Sequence, residues 1–197
     1  VAGKRLAAAM VMARVSAEAK FCLATEGRPG AAMNKLNDRL CGLEVDRFVT
    51  MVILVLDPRT HEVTVVNAGH MPPLCRRADG SVEEVGAAAS GTVLGILPGI
   101  AYEETTIVLG PGESLTMFTD GVTDARNVGD QCYGTDPLRG HVRTSGGVQN
   151  LGQAIIDDVG QFMGERPQAD DICLVCLGRL ACGNGGVPAR LAKGLSR

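Results

Sequence analysis

The sequence has no tryptophan, two tyrosines and four phenylalanines, so aromatic residues make up only 3% of its 197 positions. That supply is too thin for the base-stacking platforms of a single-strand nucleic-acid binder. Neither sign of charge dominates: Lys+Arg number 19 and Asp+Glu 22, a formal net charge of −3, which is too weak a field to hold a polyanion. Nucleic acid is therefore not an expected partner. Histidine occurs only as His61, His70 and His141, which excludes a histidine-rich transition-metal cage. No apolar run reaches the ~18 residues of a membrane-spanning helix, and Arg14 interrupts the first apolar stretch, unlike a signal peptide. Also missing are G-x-S-x-G, a Walker-type G-x-x-x-x-G-K, H-E-x-x-H, G-x-G-x-x-G and an Asp-x-Asp calcium loop, and with them several common hydrolase, nucleotide-binding and metal-site chemistries.

What is present points to a packed soluble globule: 45% hydrophobic and 21% charged residues in 197 positions, enough for one domain and short for two. The seven cysteines, odd in number and scattered, stand mostly in apolar runs. They read as reduced thiols used as small hydrophobes, which predicts a cytoplasmic setting. Cys173 and Cys176 form the one close pair, with no second pair to complete a zinc site. The first residue is Val and not Met, from which a piece of a longer chain is expected.

The Ala/Met/Leu-rich run 6–23 predicts a largely buried helix with Gly3 at its start, and GRPG at 27–30 breaks it before a second helix over 31–42. In that second helix Ala32, Leu36 and Leu40 share a face and Gly42 is the stop. Phe48–Leu56 and Glu62–Asn67 form a hairpin around DPRTH, and Leu74–Arg77 with Ser81–Val85 a second around ADG. Gly86–Gly99 is a loop. Thr105–Leu109 and Ser114–Thr119 read as a third hairpin around GPGE, followed by a sharp Asp120-Gly121 turn. The segment 122–147 is polar and Gly-rich, 151–163 is an amphipathic helix, and Ile172–Leu177 is a last buried strand. Beyond Gly178 a basic tail over 179–197 is expected to be mobile. Adjacent hairpins demand antiparallel pairing, so the fold class is α+β.

The chemistry that remains is carboxylate. Asp120 follows the strand SLTMFT, and Asp170-Asp171 precede ICLVCL, so all three acids stand at strand ends, with Gly121 allowing close backbone approach. Oxygen ligands on rigid strand ends suit Mg²⁺ or Mn²⁺, and such ions suit phosphate chemistry with water as the nucleophile. The alternative is that Asp120 starts a turn and Asp170 caps a loop. In NAGHMPP at 67–73, Asn67 and His70 either face a site or close a hydrogen-bonded corner.

FVT at 48–50, LDPRT at 56–60, NAGHMPP at 67–73, LGI at 94–96, LGPGESLTMFTDGVTDARN at 109–127, YG at 133–134 and ADDI at 169–172 together resemble the SpoIIE-type bacterial serine phosphatases. These are the bacterial branch of the PPM, or PP2C-like, metal-dependent phosphatases, and the likeness runs from about residue 1 to Gly178. It implies an αββα sandwich of antiparallel sheets flanked by helices, lacking the first strands. It implies removal of phosphate from phosphoserine or phosphothreonine, often on an anti-anti-sigma (STAS-type) regulator in a partner-switching pathway, under an upstream sensor domain in the parent chain. Two Mg²⁺ or Mn²⁺ ions are implied as cofactors, with Asp120, Asp170 and Asp171 as metal ligands and Asn67, His70 and Gly121 toward the substrate. No side chain acts as nucleophile in that scheme.

The departures carry expectations of their own. Val1-Ala2-Gly3-Lys4-Arg5 begins just after the position of the family's bridging Asp, and Arg5 replaces a Gly. The Val1 carbonyl marks a remnant ligand position, and Cys173 replaces a Thr. Weak metal binding and little activity follow for the chain alone. The alternative is a non-catalytic regulatory module with a degenerate phosphatase fold.

Overall fold

The structure, a computed structural model, describes residues 6–42 and 48–181. Val1, Gly3, Lys4, Arg5 and the tail past residue 181, on which several expectations fall, lie outside the described residues. Two compact units interleave along the chain, one within Val1–Pro72 and Gly86–Val108, the other within Pro73–Val85 and Leu109–Arg197.

In the first unit, helices α1 (Leu6–Thr25) and α2 (Pro29–Cys41) accompany an antiparallel sheet of β1 (Met51–Asp57), β2 (Glu62–Ala68) and β5 (Glu104–Val108), in the order β1-β2-β5. The expected first hairpin is present, in register from Met51 opposite Ala68 to Asp57 opposite Glu62. Its turn is locked by the Arg59 N–H donating to Asp57 Oδ1 at 2.8 Å. Over residues 12–25 helix α1 is not largely buried: Val15, Ala19 and Cys22 reach the core, while Met12, Phe21 and Leu23 stand exposed. An Ala-rich helix docked on one neighbour needs only the narrow stripe i, i+4, i+7. Phe21 is covered by cations, with Lys35 Nζ 5.3 Å and Arg39 Cζ 5.1 Å from its ring centre.

Pro29, read above as part of a breaker, is the first residue of α2, where its missing N–H costs nothing. Ala32, Leu36 and Leu40 are buried as their spacing predicts, together with Met33 and Asn37. Asn37 Nδ2 donates to Leu97 O at 2.7 Å and Asn37 Oδ1 accepts from Gly95 N at 3.0 Å, which ties the 86–99 loop to the helix. Glu104 on β5 seals the N-terminus of α2: its carboxylate accepts from Gly30 N at 2.8 Å and pairs with Arg28 at 2.9 Å.

In the second unit, β3 (Leu74–Arg76), β4 (Val82–Glu84), β6 (Ser114–Phe118) and β7 (Leu174–Gly178) form an antiparallel sheet in the order β4-β3-β6-β7. Helices α4 (Thr135–Thr144) and α5 (Leu151–Met163) pack against it, α4 on β3 and β4 and α5 on β7. The predicted third hairpin does not form. The GPGE turn is real, closed by Glu113 N donating to Gly110 O at 3.1 Å and by Gly110 N donating to the Glu113 carboxylate at 2.9 Å. Its flanking strands nevertheless pair elsewhere, β5 with β2 and β6 with β3 and β7.

Helix α4 is a further difference. Only Leu138 and Val142 anchor it, too few apolar positions to stand out in a Gly-rich stretch. Helix α5 matches its prediction, with Leu151, Ile155 and Val159 buried. Strand β7 is an edge strand, half-buried along most of its length and not fully buried. Cys22 and Cys75 are buried as small hydrophobes, whereas Cys132 and Cys173 are exposed. Among the described residues no helix is long and apolar enough to cross a membrane.

Burial raises the Glu104 carboxyl, but the Arg28 guanidinium and the Gly30 N–H outweigh it, so its pKa lies below the ordinary 4.5. A carboxylate held low in the folded state stabilises above its unfolded pKa and loses that contribution as pH falls through the folded value. Glu104→Gln is expected to cost about 1–3 kcal/mol at neutral pH. The same substitution should flatten the decline of stability below pH 4.5, as read by urea unfolding across pH.

Candidate metal centre

Strand β6 is almost wholly buried and delivers the chain to Thr119, the N-cap of a one-turn helix α3 (Asp120–Thr123). Asp120 therefore opens a helical turn where the sequence suggested only a sharp bend. Gly121, Val122 and Thr123 are buried beneath it, and Asp120 itself is exposed. Its carbonyl accepts from Asp124 N at 2.8 Å and from Thr123 Oγ1 at 3.2 Å, and its Oδ1 accepts from Gly121 N at 3.0 Å. The acid is fixed from both its backbone and its side chain.

The second acidic segment is fastened to the first through Thr119. Thr119 Oγ1 donates to Asp171 O at 2.8 Å and accepts from Cys173 N at 3.0 Å, while Thr119 N donates to Cys173 O at 3.1 Å. Gly121 completes the closure: a Cβ at this position would lie 2.4 Å from the Asp171 carbonyl oxygen and 3.4 Å from the Asp170 carbonyl carbon. Only glycine allows the two backbones to touch here. Asp170 Oδ1 accepts from Asp171 N at 2.8 Å, and Gln168 Nε2 donates to Asp170 O at 2.7 Å. Asp170 and Asp171 are exposed, and among the described residues none of the three acids forms an ion pair. The structure thus brings Asp120 into the same corner as Asp170 and Asp171.

The type of donor fits a hard divalent cation, since the side chains are carboxylates. The number of donors does not complete a site. Among the described residues no group of three or more His, Cys, Asp or Glu side chains is close enough to hold a metal ion. The corner supplies part of a coordination sphere.

Asn67 and His70 belong to the first unit, and the acids to the second. Asn67 is buried, its Oδ1 accepting from His70 N at 2.8 Å and its Nδ2 donating to His70 O at 2.9 Å. This is the hydrogen-bonded corner that the sequence allowed as an alternative. Gly69 sits inside it at φ +65°, against Val93. His70 Nδ1 lies 3.3 Å from Thr50 Oγ1. Residue-level reading missed Thr119, whose hydroxyl is the actual bridge. Its signal was the Thr directly before Asp-Gly at a strand end. The Thr-to-Cys change at 173 leaves that bridge intact, because the Cys173 backbone N–H makes the bond.

Gly121→Ala is expected to force the two backbones apart at a cost of about 1–3 kcal/mol, and to weaken divalent-cation binding. Denaturant titration together with calorimetric Mn²⁺ titration checks both effects.

The family model described as Stage II sporulation protein E (SpoIIE) matches residues 1–180. Phosphoserine phosphatase RsbU of Bacillus subtilis is 30% identical over 129 residues, covering 64% of this chain and 38% of its own length. Protein IcfG of Synechocystis is 30% identical over 91 residues, covering 46% of this chain and 14% of its own length. The chain therefore spans well under half of either relative. Among solved structures, the RsbU and RsbW domains of a Mycobacterium tuberculosis protein superpose with a TM-score of 0.75 at 22% identity, covering 92% of this chain and 50% of that one. The SiaA-PP2C domain of Pseudomonas aeruginosa gives 0.74 at 20% identity, covering 90% of this chain and 71% of that one. The fold is accordingly PP2C-like, with the antiparallel sheets and flanking helices expected from the sequence. With the family match extending over nearly all of its residues, the chain belongs to the SpoIIE family.

Proposed function

We propose that this chain is the catalytic domain of a metal-dependent protein serine/threonine phosphatase. Its substrate is a phosphoserine or phosphothreonine on a STAS-type anti-anti-sigma regulator in a cytoplasmic partner-switching pathway, under an upstream sensor domain. The observation that carries the reading is the backbone contact that sets the Asp120 turn against the Asp170–Asp171 segment, held by Thr119 and Gly121, in a chain that is 30% identical over 129 residues to a phosphoserine phosphatase. Asp120, Asp170 and Asp171 would supply part of the coordination of Mg²⁺ or Mn²⁺, an ion that when bound polarises phosphoryl oxygens and acidifies water.

The chain's own residues have definable tasks in this reading. Asp120, at the N-terminus of α3, and Asp170 keep their carboxylates oriented through local N–H bonds. Among the described residues no cation pairs with either, so none has to be displaced. Gly121 lets the Asp171 backbone close against the Asp120 turn, and Asn67 holds the loop that carries His70. The incomplete donor set predicts weak metal affinity and low activity for these residues alone. That same observation favours a second reading, a regulatory module that retains the fold without turnover.

Mn²⁺-dependent hydrolysis of p-nitrophenyl phosphate separates the two. The phosphatase reading predicts a measurable rate that falls by on the order of 10²-fold or more in Asp120→Ala, the scale of a lost contribution of several kcal/mol. No Mn²⁺-dependent rate, or a rate indifferent to Asp120→Ala, contradicts it.

A further inference from the structure

Immediately beyond α3 the chain leaves the acidic corner as a narrow hairpin. Gly134 N donates to Thr123 O at 2.9 Å, Tyr133 N to Ala125 O at 2.8 Å and Asn127 N to Gln131 O at 3.1 Å. At its tip Val128 is 78% exposed, against 58% for Leu180, the next most exposed large hydrophobic residue described. A single exposed valine ordinarily means nothing. This one is held unusually firmly.

Asn127 and Gln131 lock across the hairpin, with Asn127 Nδ2 donating to Gln131 Oε1 and Gln131 N donating to Asn127 Oδ1, both at 3.0 Å. Asp130, in the left-handed region at φ +64°, binds two guanidiniums. Arg126 lies at 3.2 Å from one carboxylate oxygen and Arg166 at 2.9 Å from the other. Arg166 also donates to Asn127 O at 3.0 Å. Both arginines lower the Asp130 carboxyl, so the cluster stays ionised and keeps one net positive charge. Arg166 stands four residues before Asp170, a chain span of at most about 14 Å. The hairpin is thus rooted on the Asp120 helix at its base and braced at its tip by the segment that leads into Asp170.

Guanidiniums are enriched in binding hot spots, and a tip already braced by hydrogen bonds has little conformational freedom left to lose on contact. We infer that the 126–132 hairpin is the docking element for the phosphorylated protein substrate, with Val128 as the apolar anchor and Arg126 and Arg166 facing the partner's acidic, phosphate-bearing surface. The inference rests on the phosphatase reading above. The occupant follows from position: the hairpin adjoins the acids where a phosphoryl group would react, and at its tip two guanidiniums share the single carboxylate of Asp130.

The test is the dissociation constant of the full chain for a serine-phosphorylated STAS domain, measured by calorimetry with Mn²⁺ present. Val128→Asp is compared with Ile96→Asp, an equally simple change at a half-exposed apolar residue of the other unit. Docking through the hairpin predicts at least tenfold weaker binding for Val128→Asp, no change for Ile96→Asp, and unchanged Mn²⁺-dependent turnover of p-nitrophenyl phosphate in both. Equal binding by wild type and Val128→Asp overturns the inference, as does an unmodified chain that turns over p-nitrophenyl phosphate yet does not bind the phosphorylated STAS domain. Failure of the phosphatase reading shows separately, as no Mn²⁺-dependent turnover of the small substrate.

Discussion

The candidate site depends on one close backbone approach. Gly121 lies against the Asp171 carbonyl with no room for a side chain, and the Thr119 hydroxyl stitches the two segments by donating to Asp171 and accepting from Cys173. Every other feature of the corner follows from this contact. It ends the pairing of β6 with β7 at Phe118 opposite Leu174, starts α3 at Asp120, and fixes two acidic segments that lie about fifty residues apart in sequence. Among the described residues neither Asp120 nor Asp170 pairs with a cation, and local N–H bonds orient both carboxylates.

The elements legible in the sequence are those whose signal is local. The DPRTH and ADG turns sit between short apolar strands and gave hairpins, and the 3.6-residue repeat of Leu151, Ile155 and Val159 gave α5. GPGE failed because turn chemistry specifies a reversal but not a partner: Glu113 closes the turn, while β5 and β6 find longer-range partners in different sheets. Helix α4 escaped notice because two buried residues, Leu138 and Val142, are all that its packing requires. α1 was overestimated because alanine and methionine suit an exposed helix as well as a buried one.

For the site, the acids were legible because carboxylates at the ends of apolar strands are rare enough to stand out, and family resemblance reinforced them. Their linkage through Thr119 and the necessity of glycine at 121 depend on tertiary contact and were only hinted at by Thr-Asp-Gly. Asn67 shows the opposite limit. Its place in a dense motif made it a candidate for the substrate side, and the structure shows both polar atoms of its side chain closing the His70 corner. A residue can be indispensable to a loop without touching anything that loop presents.

The proposed phosphatase function requires that the Asp120 and Asp170–Asp171 segments together hold one divalent cation. Paramagnetic broadening of amide resonances by substoichiometric Mn²⁺ tests it most directly. Residues 119–121 and 170–173 are expected to broaden together, at the lowest Mn²⁺ levels and before any other acidic segment. Broadening of one segment without the other, or first broadening at a distant acidic pair such as Glu83 and Glu84, would contradict it.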